Sequence, residues 1–206
     1  MANLGQYSRQ DLEVRRRALI AATLQSLAAG GLGAVSVRDV AARAGVSIGL
    51  VRHHFGSFGA LLVEAYRHTT VEIDGALAKA VEAAGPDPRR RMDAFLAASF
   101  APGIVDRDLL SAWLGFWGLV RSDPKAAALH AQAYAAYRTR IAALLGDLRP
   151  GCSATDLAHG AIALSALLDG LWLELCLDPT TFSPQDAIGM TRRWVDGFLA
   201  TTAPLA

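Results

Sequence analysis

Within the stretch Ser36–Phe55, SVRDVAARAGVSIGLVRHHF, several side chains suited to a nucleic-acid surface stand close together. Ser36, Arg38, Ser47 and His54 carry donors that can reach phosphate oxygens, and phosphate contacts fix the register of a protein on a duplex. Ile48, Gly49, Leu50 and Arg52 are spaced to approach base edges. A glycine there permits close backbone approach, and an arginine can hold a guanine through two parallel hydrogen bonds. His53 suits either role. The same pattern is compatible with an ordinary helical hairpin whose Arg52 faces solvent.

A second group lies further along. Trp113, Phe116 and Trp117 fall at i, i+3 and i+4, on one face of a helix. Asp169 and Trp172 stand three apart in a very apolar stretch, where a carboxylate needs a partner. Tyr134 and Tyr137 lie on an intervening segment. Aromatic rings around a carboxylate form the kind of cage that holds a quaternary ammonium by cation–π attraction. The competing reading is a packed aromatic core, with Asp169 paired to Arg138, Arg140 or a residue of a second subunit.

These side chains need scaffolds, and the sequence punctuates them. Ser36 and Asp39 have capping-box spacing, Val40, Ala41 and Ala44 form an inner face, and Gly45 suits a left-handed terminus. Val46 fills the corner and Ser47 is positioned to cap the next helix, which Leu50 and Val51 anchor. That is a helix-turn-helix, whose second helix enters a major groove. Before it, Leu19, Ile20, Leu24 and Leu27 predict a helix over about 9–29, stopped by Gly30, Gly31 and Gly33; residues 1–8 read as a frayed tail. After it, Leu61, Leu62, Ala65, Val71 and Leu77 predict a long helix over about 58–84, running from head to body without a flexible linker. Further helices are expected near 88–101, 106–122, 124–146, 154–177 and 184–202, separated by proline- and glycine-bearing breaks. The expected fold is therefore all-α: a three-helix head over 1–57 and a larger helical domain for ligand binding and dimerisation over 58–206.

Composition sets outer bounds. The chain has 206 residues, 52% of them hydrophobic, and a net charge of +1. A globally basic coat is excluded, but residues 1–57 hold seven Lys/Arg against three Asp/Glu, a local net of +4. A basic head on a mildly acidic body suits phosphate contact. Cys152 and Cys176 have no CxxC spacing and read as reduced structural thiols. The first residues lack a hydrophobic signal core, so a cytoplasmic protein is expected. Leu157–Leu177 has the length of a membrane span, yet its His159, Asp169 and Glu174 favour a buried helix. No HExxH, GxSxG, P-loop or dinucleotide fingerprint occurs, and His130 and His159 form no catalytic constellation; neither an enzyme, a cofactor nor a bound metal is expected.

Over about residues 12–65, the order helix, SVRDVAARAGVSIGLVRHHF, then G-x-x-x-x-L-L opening a long helix resembles the TetR family of bacterial transcriptional regulators. The resemblance implies an all-helical homodimer, a palindromic double-stranded operator and a small-molecule inducer held by the body. AWLGFW at 112–117 and DGLWL at 169–173 are similar to segments of choline-responsive repressors within that family, which implies a choline-like inducer. The family usually places a tyrosine at His54 and a lysine at Phe58, both on the DNA backbone. At Phe58 one charge-assisted contact is therefore expected to be missing. The apolar faces of the last two helices (Leu164, Leu167, Leu168, Leu171 and Leu175, then Ile188, Trp194, Val195, Phe198 and Leu199) are expected either in a four-helix dimer interface or in a larger core.

Overall fold

A computed structural model describes residues 9–200; the tail expected over 1–8 and the segment 201–206 lie outside the described residues. Among the described residues there are nine helices and no strand. They are α1 (Arg9–Ala34), α2 (Val37–Arg43), α3 (Ile48–Phe55), α4 (Phe58–Ala83), α5 (Pro88–Ser99), α6 (Arg107–Ser122), α7 (Pro124–Leu148), α8 (Ala154–Leu177) and α9 (Pro184–Ala200).

Local chemistry explains most boundaries. Asp87 accepts the Arg90 amide at 2.8 Å, and Pro88 opens α5 where a missing N–H costs nothing. Ser153 accepts the Asp156 amide at the start of α8. At α9, Ser183 and Asp186 form a reciprocal box: the Asp186 amide donates to the Ser183 hydroxyl and the Ser183 amide donates to the Asp186 carboxylate. The first helix ends differently from expectation. Its backbone leaves the helical region at Gly31 (φ 64°) and helical geometry resumes to Ala34.

The helices form two compact units. The first comprises the described residues through Thr69 together with Ser111–Ala127. Its buried side chains include Leu19, Ile20 and Leu27 of α1, Val40 and Ala41 of α2, Val51 of α3, Leu61 and Tyr66 of α4, and Phe116 of α6. The three-helix head thus packs as part of a larger body of helix. Residues 58–69 and 111–127 join it, a finer division than the boundary expected at 57/58.

The second unit comprises Thr70–Leu110 and the described residues from Ala128 onward. Its core joins Met92, Phe95 and Leu96 of α5 to Ile141, Leu144 and Leu145 of α7, Leu164, Leu168 and Leu175 of α8, and Val195 of α9. Gly160 marks the tight crossing of α8: a Cβ there would lie 2.7 Å from the Phe198 ring and 3.1 Å from Leu145. Around the rim, Arg192 pairs with Asp93 at 2.8 Å and Arg89 pairs with Asp196, tying α9 to α5.

Two sequence expectations are revised here. Val71 is 61% exposed rather than part of the inner face of α4. The leucines expected to reach a dimer face, Leu164, Leu168 and Leu175, instead fill this unit's own core with Val195, while Leu167, Leu171, Ile188, Trp194, Phe198 and Leu199 are half-buried. Helix α8 has the length and hydropathy of a membrane span, but that face is committed to the core. Cys152 is half-buried and Cys176 buried, and both are free thiols.

Candidate DNA-reading head and ligand site

The turn between α2 and α3 is closed by backbone hydrogen bonds. The Val46 amide donates to the Ala41 carbonyl at 2.9 Å and the Gly45 amide to the Ala42 carbonyl at 3.1 Å, with Gly45 at φ 65°. This is the Schellman arrangement, and it depends on a residue that tolerates the left-handed region. Ser36 caps α2, accepting the Asp39 amide at 3.2 Å. The Asp39 carboxylate is directed to Ser26 Oγ at 2.5 Å and Arg43 Nε at 3.0 Å. These two donors hold it below the usual carboxylate range. Asp39 thereby pins α2 to α1 through Ser26, a buried side chain with no obvious signal in the sequence.

Ser47 sits at the N-cap of α3 with extended backbone, but its side chain makes no capping hydrogen bond, contrary to expectation. The hydroxyl is left exposed beside the first amides of α3. Ser36, Arg38, Ile48, Gly49, Arg52 and His53 are exposed as well, Ile48 to 46%, and Leu50 is half-buried. An exposed row along a short helix, anchored behind by the fully buried Val51, is the geometry of a reading helix.

His54 departs from its expected role. Its Nε2 is buried without a hydrogen-bond partner, so that atom is not presented to a phosphate. Burial, reinforced by His53, Arg15 and Arg16, lowers its pKa and favours the neutral ring. The adjacent Phe55 ring carries the Arg16 guanidinium 4.8 Å from its centre, and Arg16 also pairs with Glu64 at 2.8 Å. Arg17 pairs with Glu13. Arg16 and Arg17 therefore have intramolecular partners, and this basic stretch of α1 is in part structural.

The expected aromatic cage divides between the units. In the first, Phe116 is only 1% exposed and stacks on Tyr66 with ring centres 4.7 Å apart, and Trp113 meets Tyr66 edge-on at 5.4 Å. Phe116 is therefore core rather than a cage wall. Trp117 lies 6.0 Å from Trp113, and both tryptophans are half-buried. Tyr66, absent from the sequence reading, is the ring this group is organised around.

In the second unit, Asp169 accepts a hydrogen bond from Tyr134, and burial raises its pKa to about 6. Two effects partly offset burial: the Tyr134 bond and the positive charge of Arg138. The Tyr137 hydroxyl is pushed well up, first by burial and then by the charge of Asp169. Tyr134 and Tyr137 lie edge to face at 6.3 Å, and Tyr137 packs on Phe95 at 5.9 Å. Trp172 donates from Nε1 to the Ile104 carbonyl at 2.6 Å, which fixes its ring. His130 lies 4.4 Å from the Tyr134 ring and the Arg138 guanidinium 5.9 Å from it, so 130, 134 and 138 form one stripe of α7. Arg140 is committed elsewhere, to the Asp74 carbonyl and carboxylate at 2.9–3.0 Å. Of the two arginines offered as partners for Asp169, only Arg138 acts on it. No cluster of three or more metal-type ligands occurs among the described residues.

Comparison with known proteins bears on both parts. Residues 19–65 match the family of bacterial regulatory proteins of the tetR type, and residues 88–200 match the C-terminal domain of BetI-type transcriptional repressors. HTH-type transcriptional regulators BetI from Burkholderia cenocepacia and Burkholderia thailandensis are each 33% identical. The first aligns over 189 residues (92% of this chain, 96% of that protein) and the second over 192 (93% and 96%). A crystal structure described as a transcriptional regulator of Pseudomonas aeruginosa PAO1 superposes with a TM-score of 0.87 at 41% identity, covering 95% of each chain. A regulator from Saccharomonospora viridis, solved in complex with choline, shares the fold with a TM-score of 0.77 at 24% identity, over 89% of this chain and 96% of that one. With its Schellman turn, exposed reading helix and helical body, this chain belongs to the TetR family, as a DNA-binding transcriptional repressor with a BetI-type C-terminal domain.

Proposed function

We propose that this repressor senses a choline-like quaternary ammonium through Asp169, Tyr134, Tyr137 and Trp172, and reads a palindromic operator as a homodimer in the cytoplasm. The observation that carries the ligand reading is Asp169: a half-buried carboxylate oriented by a tyrosine hydroxyl and set among aromatic rings. A fixed negative charge beside π faces favours a weakly hydrated cation over a neutral or anionic ligand. The choline complex of the S. viridis regulator supports the same ligand class.

The dimer reading rests on what α8 leaves uncovered. Opposite its core face, Ala158, Ile162, Ala163, Ala166 and Gly170 are exposed, and Ile162 and Leu177 are each more than half exposed. A stripe of small and apolar residues on a long helix suits close packing against a second copy. Sedimentation at micromolar concentration is expected to give a dimer, and an aspartate at Ile162 is expected to split it.

Two measurements test the proposal. Calorimetry with choline should show saturable binding that weakens by about tenfold or more in Asp169→Asn; no heat up to about 10 mM, with the folded dimer verified, would reject the ligand assignment. Selection of genomic fragments by the purified protein should enrich one palindrome; recovery of random fragments would reject operator reading by α3.

A further inference from the structure

We infer that Arg138 is a built-in stand-in for the ligand cation, resting on the Tyr134 ring beside Asp169 until an incoming cation takes its place. The inference rests on the proposed ligand site and adds a competitor to it. Three observations meet at Arg138. Its guanidinium carbon lies 5.9 Å from the centre of the Tyr134 ring, within cation–π range. Tyr134 is the residue that hydrogen-bonds Asp169. The positive charge of Arg138 is also felt at both Asp169 and His130. The groups that interact with Arg138 are Tyr134 and His130 on its own helix and Asp169 from α8; Arg140 is held by Asp74.

A guanidinium and a quaternary ammonium are alike in what matters here. Both are monovalent, weakly hydrated and attracted to aromatic faces, whereas a primary ammonium is compact and strongly hydrated. In the empty state the Tyr134 hydroxyl hydrogen-bonds the Asp169 carboxylate, and the nearby guanidinium offsets part of its charge. It also sets a threshold, because the ligand must displace a tethered cation as well as bind. Arg138 is half-buried on α7, so a swing toward solvent needs only rotation about its side-chain torsions. Weak binding of sub-threshold cations, and preference for ligands with several methyl groups on nitrogen, follow from this arrangement.

Arg138→Met and Arg138→Lys, with thermal melting to verify folding, are to be titrated with choline and tetramethylammonium beside the parent protein. Arg138→Met is expected to bind choline about fivefold more tightly, since it removes both the competitor and a like charge. Arg138→Lys, which keeps the charge but stacks poorly, is expected to fall between. Arg138→Ala is to be titrated with methylguanidinium, which should occupy the vacated seat at millimolar concentration and leave the parent protein unaffected. Choline binding by the parent with no gain in Arg138→Met would overturn the inference, as would failure of methylguanidinium to bind Arg138→Ala. If methylguanidinium binds Arg138→Ala while no variant binds choline, the seat stands and the choline assignment falls.

Discussion

The Val46 amide reaches back to the Ala41 carbonyl at 2.9 Å, across a turn whose left-handed residue is Gly45. The hydrogen bond spans the end of α2 and sets the angle at which α3 departs. Operator reading by α3 would depend on that angle, because base contact would require the exposed Ile48, Gly49, Arg52 and His53 to enter the groove at one pitch. Gly45→Ala places a Cβ in the left-handed region and is expected to destabilise the first unit by about 1 kcal/mol. Melting temperature and operator affinity should fall together; unchanged values for both would show that the turn tolerates a side chain.

Ser47 offers a sharper separation of stability from function. Its side chain makes no capping bond, so Ser47→Ala should leave the melting temperature within about 1 °C of the parent. Loss of a phosphate donor should still weaken operator binding several-fold at every sequence. Arg52→Ala, by contrast, should relax base preference at one position of each half-site, at a cost of about 1–3 kcal/mol in discrimination. Fluorescence anisotropy with operator variants distinguishes the two; identical base preference in Arg52→Ala would remove Arg52 from base reading.

His54 should impose a pH dependence on the first unit. Burial lowers its pKa below 6.5, so the folded state binds fewer protons there than the unfolded chain. The stability it allows is present above about pH 6.5 and declines as pH falls below that value. His54→Phe removes a buried nitrogen that has no partner, and should flatten the decline between pH 6.5 and 5. Parallel slopes in urea melts of parent and variant across that window would count against the assignment.

Asp169 should act in the opposite sense. Its pKa rises from 3.8 to about 6 on folding, so the folded state holds the proton more tightly. Stability is then lost as pH rises from about 4 to about 6, by an amount of order 3 kcal/mol. Asp169→Asn should melt higher than the parent at pH 7.5, with the gap closing toward pH 4. Affinity for a cationic ligand should run the other way in the parent, rising as pH passes through 6 and the carboxylate ionises. A pH-independent affinity between 5 and 7.5 would show that this carboxylate is not the counter-ion.

The helix-turn-helix was legible from residues alone, because its cap and turn are local: Ser36 and Gly45 act within three or four positions of themselves. The outward face of α3 was legible for the same reason, since an anchor at Val51 dictates which neighbours point outward. Asp169 as a carboxylate in need of a partner also followed from sequence, through the apolar stretch around it.

Which groups meet was decided by tertiary structure. Helical periodicity places Trp113, Phe116 and Trp117 on a face but is silent on what that face touches; packing gave it Tyr66, and turned Phe116 into core. Periodicity likewise made α8 apolar on several sides without saying which side is internal; Leu164 and Leu168 went to the core and Ile162 stayed outside. Arg138 and Arg140 are chemically identical and two residues apart, so about half a helical turn points them to opposite sides of α7. One meets Asp74, 66 residues earlier in the chain, and the other the Tyr134 ring beside Asp169. Spacing along a helix determines direction; only the packed partner determines what a side chain in that direction encounters.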